Sequence, residues 1–253
     1  MFTFTEAQML AWLSPVLWPF IRALALLQAL PVFSQRSVPT RVKIGLAMFI
    51  ALASQASLPA MPVVPLESPL AVLLVVQQLL IGFSLGFAVR VVFAAIELGG
   101  ELIGLQMGLN FAGFFDPATA SQGTASGRFF GTIVAFLFVL SNGHLAIIAA
   151  LVKSYSAFPV GDEPFAFLRQ AQPQAWGGEI FTLGLWIALP LIGMLLFVNL
   201  VLGVISRVAP QISVFSVGFP VTLTVGLVGM LLTLPLLEPA FATAVAQLLA
   251  RFQ

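Results

Sequence analysis

Arg90, Glu97 and Glu101 stand seven and four residues apart in an otherwise uncharged stretch. At 100° per residue a helix brings all three within about 40° of one another, on a face that Gly104 and Gly108 continue. Charges at membrane depth are expensive, so they pair with one another or line water. Two readings stay open. One is an ion pair from Arg90 to Glu97 with Glu101 bonded to a neighbour; the other is an intramembrane polar stripe facing a channel. Paired carboxylates are also the usual material of a proton relay, and the spacing does not separate that role from the other two.

The residue types for nucleophilic catalysis are scarce. The single histidine, His144, has Ser126 as its candidate partner. With 129–152 read as one helix, the two lie about 27 Å apart, too far for the hydrogen bond that a serine–histidine couple needs. His144 follows Asn142-Gly143 and reads as a satisfied polar group near a helix end. The chain has no HExxH, no Walker A loop and no carboxylates matched to metal-site histidines. Zero cysteines exclude disulfides, thiolate metal sites and cysteine nucleophiles together. The expectation is a protein that is not an enzyme, with no catalytic, cofactor or metal site.

Glycine spacing carries a different kind of information. Ten of the 21 glycines fall between Gly82 and Gly131. They repeat every four residues as Gly82/Gly86, Gly100/Gly104/Gly108 and Gly123/Gly127/Gly131, the flat stripe that lets another backbone approach closely. Three stripes exceed the need of one bundle and favour contacts between subunits over packing within the chain. Between the second and third lies Leu109-Asn-Phe-Ala-Gly-Phe-Phe-Asp-Pro117, with Gly113 as a pivot and Asp116–Pro117 as a turn. Phe111, Phe114 and Phe115 thus sit on a loop-like segment. A loop at membrane depth must be buried in protein or face a cavity. Either the three rings anchor an interface, or they form a constriction that closes a pathway.

The elements that hold these residues follow from composition. Hydrophobic residues make up 60% of the 253 and charged residues 8%, too few to coat a water-facing surface. A net charge of +1 leaves no basic footprint for nucleic acid. Residues 44–66, 69–89, 129–152, 180–206 and 208–237 carry no charge, and most reach the length of about 20 residues that crosses a bilayer. Residues 7–33 are a sixth candidate, interrupted by Arg22 and preceded by no basic n-region, so they read as a retained span. Period-two alternation is absent from 70–76, which argues against a β-barrel. Pro15, Pro19, Pro31, Pro190, Pro210, Pro220 and Pro235 in or beside these runs predict short, broken helices. The loop with Arg36, Arg41 and Lys43 is expected on the cytoplasmic side. The fold class is all-α: a polytopic membrane protein of about six hydrophobic helical segments, several broken by Pro or Gly.

Several runs, in order, resemble the FliR-type family of flagellar export-gate proteins. They are Glu97-x-x-Gly-Glu-Leu-Ile-Gly-Leu-Gln-Met-Gly-Leu-Asn110, Phe-Phe-Asp-Pro117, Ser141-Asn142-Gly143-His144 and Ser154-Tyr155. Arg207-Val-Ala-Pro210-Gln211 and Val214-Phe-Ser-Val-Gly-Phe219-Pro220 complete the set. The resemblance implies a core subunit of the type III secretion export gate in the flagellar basal body, in the bacterial inner membrane. It implies assembly with FliP- and FliQ-type subunits into a helical pore for unfolded flagellar proteins. An FlhB-type switch protein attaches to that assembly, and an FlhA-type proton-coupled subunit and an ATPase supply energy from elsewhere. It further implies one domain over 1–253, roughly 1–175 like the P subunit and 176–253 like the helical hairpin of the Q subunit. Residues near 110–117 match the loop that plugs the closed pore. The T subunit of virulence injectisomes is the nearest alternative. A secondary transporter is the more distant one, and it requires an inverted repeat that the two halves do not show.

Overall fold

The structure, a computed structural model, describes residues 6–35, 37–65, 67–109, 124–161, 163, 165–209, 211 and 214–252. Eight α-helices and no strand occur among the described residues. They are α1 (Glu6–Ala29), α2 (Thr40–Ser54), α3 (Pro69–Gln106), α4 (Ala125–Leu140), α5 (Gly143–Ala157), α6 (Ala166–Ala171), α7 (Gly177–Val208) and α8 (Val214–Leu249). Single 3-10 turns follow at Gln55–Ser57, Pro173–Trp176 and Ala250–Phe252. Four stretches are long and apolar enough to cross a bilayer, Gln8–Ala29, Pro69–Gln106, Ala166–Val208 and Ser216–Phe252, and α4 with α5 adds a fifth as a broken span. This is the all-α polytopic membrane architecture expected from composition.

Lengths differ from the charge-free runs. With 15 residues, α2 reaches only about 22 Å, short of a hydrocarbon core of roughly 30 Å. Conversely, the 38 residues of α3 extend about 57 Å, nearly twice that thickness. The helix runs straight through Arg90, Glu97 and Glu101, because nothing between Pro69 and Gln106 breaks it. Residues 129–152 are two helices and not one. Asn142 takes the left-handed conformation at φ 55°, which asparagine tolerates better than other non-glycine residues, and its carbonyl accepts from Leu145 N and Ala146 N to start α5. The argument that one rigid helix separates Ser126 from His144 therefore does not stand. Pro15, Pro19, Pro190, Pro220, Pro235 and Pro239 lie inside helices without ending them. In α8 the Thr222 and Thr233 hydroxyls donate back to the Gly218 and Gly229 carbonyls at 3.1 and 3.0 Å, so neither carries an unpaired hydroxyl into lipid.

The chain divides into two compact units. The first takes the described residues of Met1–Arg90, Asn142–Trp176 and Ala244–Gln253. Within it α1 packs on α2, and the backbone of α3 approaches α1 at Gly82 and Gly86. A Cβ at Gly86 would lie 2.9 Å from the Leu26 carbonyl oxygen, a separation that real Cβ atoms do not reach. Trp18 is buried and donates from Nε1 to the Pro62 carbonyl at 3.2 Å, which pins the proline-rich connector to α1. Phe158, Phe167, Phe252 and Trp176, in that order, form an aromatic chain with successive ring centroids 5.0, 5.7 and 5.6 Å apart.

The second unit takes the described residues of Val91–Ser141 and Gly177–Thr243. Its centre is Phe93, edge-on to Phe138 at 5.9 Å and to Phe241 at 6.1 Å. The helices α3 and α7 meet glycine to glycine: a Cβ at Gly184 would lie 2.9 Å from the Ala95 carbonyl, and one at Gly99 3.1 Å from the Gly184 carbonyl. Gly229 of α8 faces Leu191 and Met194 of α7, so these two long helices meet at that point.

Candidate functional site

The polar residues and the glycines of the middle segment meet on one seam between α3 and α4. A Cβ at Gly100 would stand 2.7 Å from Phe130 Cγ, and one at Gly104 2.8 Å from Ser126 Cβ. From the other side, a Cβ at Gly127 would stand 2.7 Å from Glu101 Cγ, and one at Gly131 2.8 Å from Glu97 Oε1. Each step of four residues up α3 matches a step of four down α4, the register of an antiparallel helix pair. Side chains on each helix thus lie over glycines of the other. The N-terminus of α4 is fixed locally, since the Thr124 hydroxyl accepts from Gly127 N at 3.0 Å.

These stripes serve contacts within the chain. Gly100, Gly104, Gly127 and Gly131 all face an intrachain neighbour, where the spacing alone favoured a second subunit. Gly108 has a different job. It lies past the end of α3 at φ 79°, donating from its N–H to the Leu105 carbonyl, and so terminates the helix instead of extending the stripe. Phe111, Gly113, Phe114, Phe115, Asp116, Pro117, Gly123 and Pro210 lie outside the described residues.

The expected polar stripe is placed as follows. Glu101 is half-buried across Gly127, and Glu97 is more exposed across Gly131. Arg90 is exposed and has no ionic or hydrogen-bonding partner among the described residues, so its reading as half of an ion pair is not realised there. Among the motif residues, Gly143 is buried and His144 half-buried in the first turn of α5. Arg207 occupies the last turn of α7, where a cation complements the helix dipole, and Gln211 sits exposed in the turn beyond. Phe219 and Pro220 are exposed on the first turns of α8. Among the described residues no group of His, Cys, Asp or Glu side chains could hold a metal ion.

The residue that sequence reasoning passed over is Arg22, noted only as an interruption of the first apolar run. It is fully buried in the first unit. Its Nε donates to Gln78 Oε1 at 2.7 Å, one terminal nitrogen to Ser154 Oγ at 2.9 Å and the other to the Phe158 carbonyl at 2.9 Å. The guanidinium lies 3.7 Å from the centroid of the Tyr155 ring. Gln78 in turn donates to Gln77 Oε1 at 3.0 Å, and Gln77 to the Pro159 carbonyl at 3.2 Å. One cation therefore ties α1 and α3 to α5 and the corner behind it. The signal was present in the sequence: Ser154-Tyr155 is the receptor of this arginine, and Gln77-Gln78 is the only adjacent pair of amides in α3.

Fold and site together define a polytopic helical membrane protein whose polar side chains join helices to one another. Comparison with known proteins is more particular. Residues 13–248 match the family described as bacterial export proteins, family 1, and the chain belongs to that family. It is 48% identical to flagellar biosynthetic protein FliR of Escherichia coli (strain K12), covering 93% of this chain and 90% of that protein. Identity is 46% to the protein of the same name from Pectobacterium carotovorum subsp. carotovorum, covering 94% and 91%. With that of Bacillus subtilis (strain 168) it is 32%, covering 83% and 82%.

Proposed function

We propose that this chain is a core subunit of the flagellar type III protein export gate. Its family membership over residues 13–248, with flagellar relatives matched across nearly their whole length, carries the reading. At the coarser level it is a membrane-embedded component of a flagellar export apparatus, with a structural and transport role and not an enzymatic one. The finer assignment is that it assembles with FliP- and FliQ-type subunits in the inner membrane into the pore that unfolded flagellar proteins traverse. FlhB- and FlhA-type proteins act beside it. Residues 1–175 play the part of a P subunit and 176–253 that of a Q-type hairpin. Phe111, Phe114 and Phe115, pivoting at Gly113 and turned by Asp116–Pro117, close the pore. Flagellar names among the relatives favour this system over the injectisome.

The wide apolar surfaces of α7 and α8 support a subunit that is covered by lipid and by other subunits. Phe181, Trp186, Phe197, Leu200, Leu231 and Leu232 are each more than 60% exposed. Co-expression tests the reading. Alone in detergent, the chain should be heterogeneous or aggregate; with P- and Q-type subunits it should elute as one defined complex. A monodisperse monomer that ignores both partners would overturn the assignment.

A further inference from the structure

Gly82 and Gly86 set the direction of α3 as well as its contact with α1. A Cβ at Gly82 would meet Ala25 and one at Gly86 would meet Ala29, so the two helices rise side by side in the same direction. Arg90, one turn past Gly86, therefore lies at the end of the first unit where α1 finishes and α2 begins. Arg41 and Lys43, in the first turn of α2, share that end. Glu6 and Glu67, the only acidic residues among the first 90, stand at the other end, where α1 and α3 start. Charge is thus segregated along the helix axis. The uncharged stretch Pro69–Val89 rises about 31 Å, the thickness of a hydrocarbon core, which sets Arg90 at the level of lipid headgroups.

A groove of about 340 Å³ lies beside Arg90, lined also by Ala29, Leu80, Phe83, Ser84 and Phe87. Two polar groups line it, and neither is satisfied among the described residues. Ser84 is only 8% exposed, yet its hydroxyl has no partner there. A serine inside a helix ordinarily returns its hydroxyl to a carbonyl of the preceding turn, as Thr222 and Thr233 do in α8. Arg90 has no anion there either. The remaining wall is apolar and preset: Ala29 stands on α1, and Phe87 is stacked on Trp176 at 6.2 Å. Leu80 and Phe83 lie deepest in the core, Ser84 next and Arg90 at the rim. The acyl chain, glycerol ester and phosphate of a phospholipid follow in the same order. A transmembrane helix is a poorer match, because such helices approach over small residues, and Gly82 and Gly86 are already covered by α1.

We infer that this groove is a binding site for an anionic phospholipid. Its phosphate accepts from the Arg90 guanidinium, an ester carbonyl accepts from the Ser84 hydroxyl, and an acyl chain lies along Leu80, Phe83 and Phe87. Basic pockets between membrane helices take such headgroups, above all in the anionic cytoplasmic leaflet. The basic loop before α2, at this same end, is the one expected on the cytoplasmic side. The inference needs only a bilayer around α1 and α3, so it stands or falls apart from the export-gate reading.

Native mass spectrometry tests it on the full chain, purified in detergent with the subunits that accompany it. The sample is stripped of lipid and offered equal amounts of phosphatidylglycerol and phosphatidylethanolamine. The parent should retain phosphatidylglycerol about fivefold better. Arg90→Gln should lower that retention about fivefold and Ser84→Ala about threefold. Arg128→Gln, which removes an exposed cation elsewhere, should leave it unchanged. Ser84→Ala strands no hydrogen-bond partner, so it should fold as the parent does and keeps the test decisive if Arg90→Gln misfolds. Equal retention of the two lipids, or parental retention in Ser84→Ala, would overturn the inference. So would a crosslink from p-benzoylphenylalanine in place of Phe83 that reaches protein and never lipid, since a subunit would then fill the groove.

Discussion

Arg22 carries its charge into a fully buried site whose recorded partners are all neutral: an amide oxygen, a hydroxyl, a backbone carbonyl and an aromatic ring. Removing one acceptor while the cation stays is the costly change, about 1.5–3 kcal/mol for a buried hydrogen bond to a charged group. Gln78→Leu should therefore destabilise strongly. Arg22→Met combined with Gln78→Leu should recover part of that loss, because the charge leaves with its acceptor. Thermal denaturation of the purified complex compares them, and additive losses would contradict the account. Tyr155 separates two contributions. Its hydroxyl is buried without a partner among the described residues, so its ring is what the guanidinium uses. Tyr155→Phe should remain within about 1 kcal/mol of the parent, while Tyr155→Leu should lose about 2 kcal/mol of desolvated cation–π attraction as well as packing. Equal losses in the two variants would show that the hydroxyl matters after all.

At the scale of elements, the α3–α4 seam decides what a glycine is worth. Gly104 and Gly45 both sit inside helices, but only Gly104 faces a neighbour, Ser126 of α4. Nothing lies within 4 Å of a Cβ at Gly45. Gly104→Leu should thus force α3 from α4 and cost about 1–3 kcal/mol or more, lowering complex yield on native gels. Gly45→Leu should be neutral or slightly favourable, since leucine is the better helix former by several tenths of a kcal/mol. Comparable yields from the two would remove the seam from consideration as a close contact. Because the contact is within the chain, the Gly104 variant should also be less stable before any partner is added.

On the scale of the whole molecule, the export-gate reading demands a barrier when no substrate is present. Burial of one phenylalanine ring contributes about 1.5–3 kcal/mol, so three rings can hold a dry constriction closed. Replacing Phe111, Phe114 and Phe115 with Ala together should let the assembled complex pass small ions without exported protein. Planar-bilayer conductance, or the sensitivity of cells to a small impermeant solute, reads the effect once assembly is verified. A triple variant as tight as the parent would rule out a plug made of these residues. The assignment to the export gate would stand, since it rests on the match over residues 13–248.

Composition and periodicity were enough to determine the solvent this protein is built for. With 8% charged residues and long charge-free runs, only helices that satisfy their own backbone could serve, and such helices form. The i to i+4 glycine spacing likewise marked close helix contact, because it is a local property of a helix face. Which helix made the contact was not local. Glu97 and Glu101 across Gly131 and Gly127, and Gly99 against Gly184, depend on two segments meeting in register, and no spacing along one strand of sequence encodes that. The end of α3 at Gly108 and the break at Asn142 turned on single backbone angles, φ 79° and 55°, that residue type permits without requiring. Arg22 shows the limit most clearly. In sequence it is a flaw in an apolar run; only tertiary structure, by bringing Gln78, Ser154 and the Phe158 carbonyl to its donors, turns the flaw into the fastening of three helices.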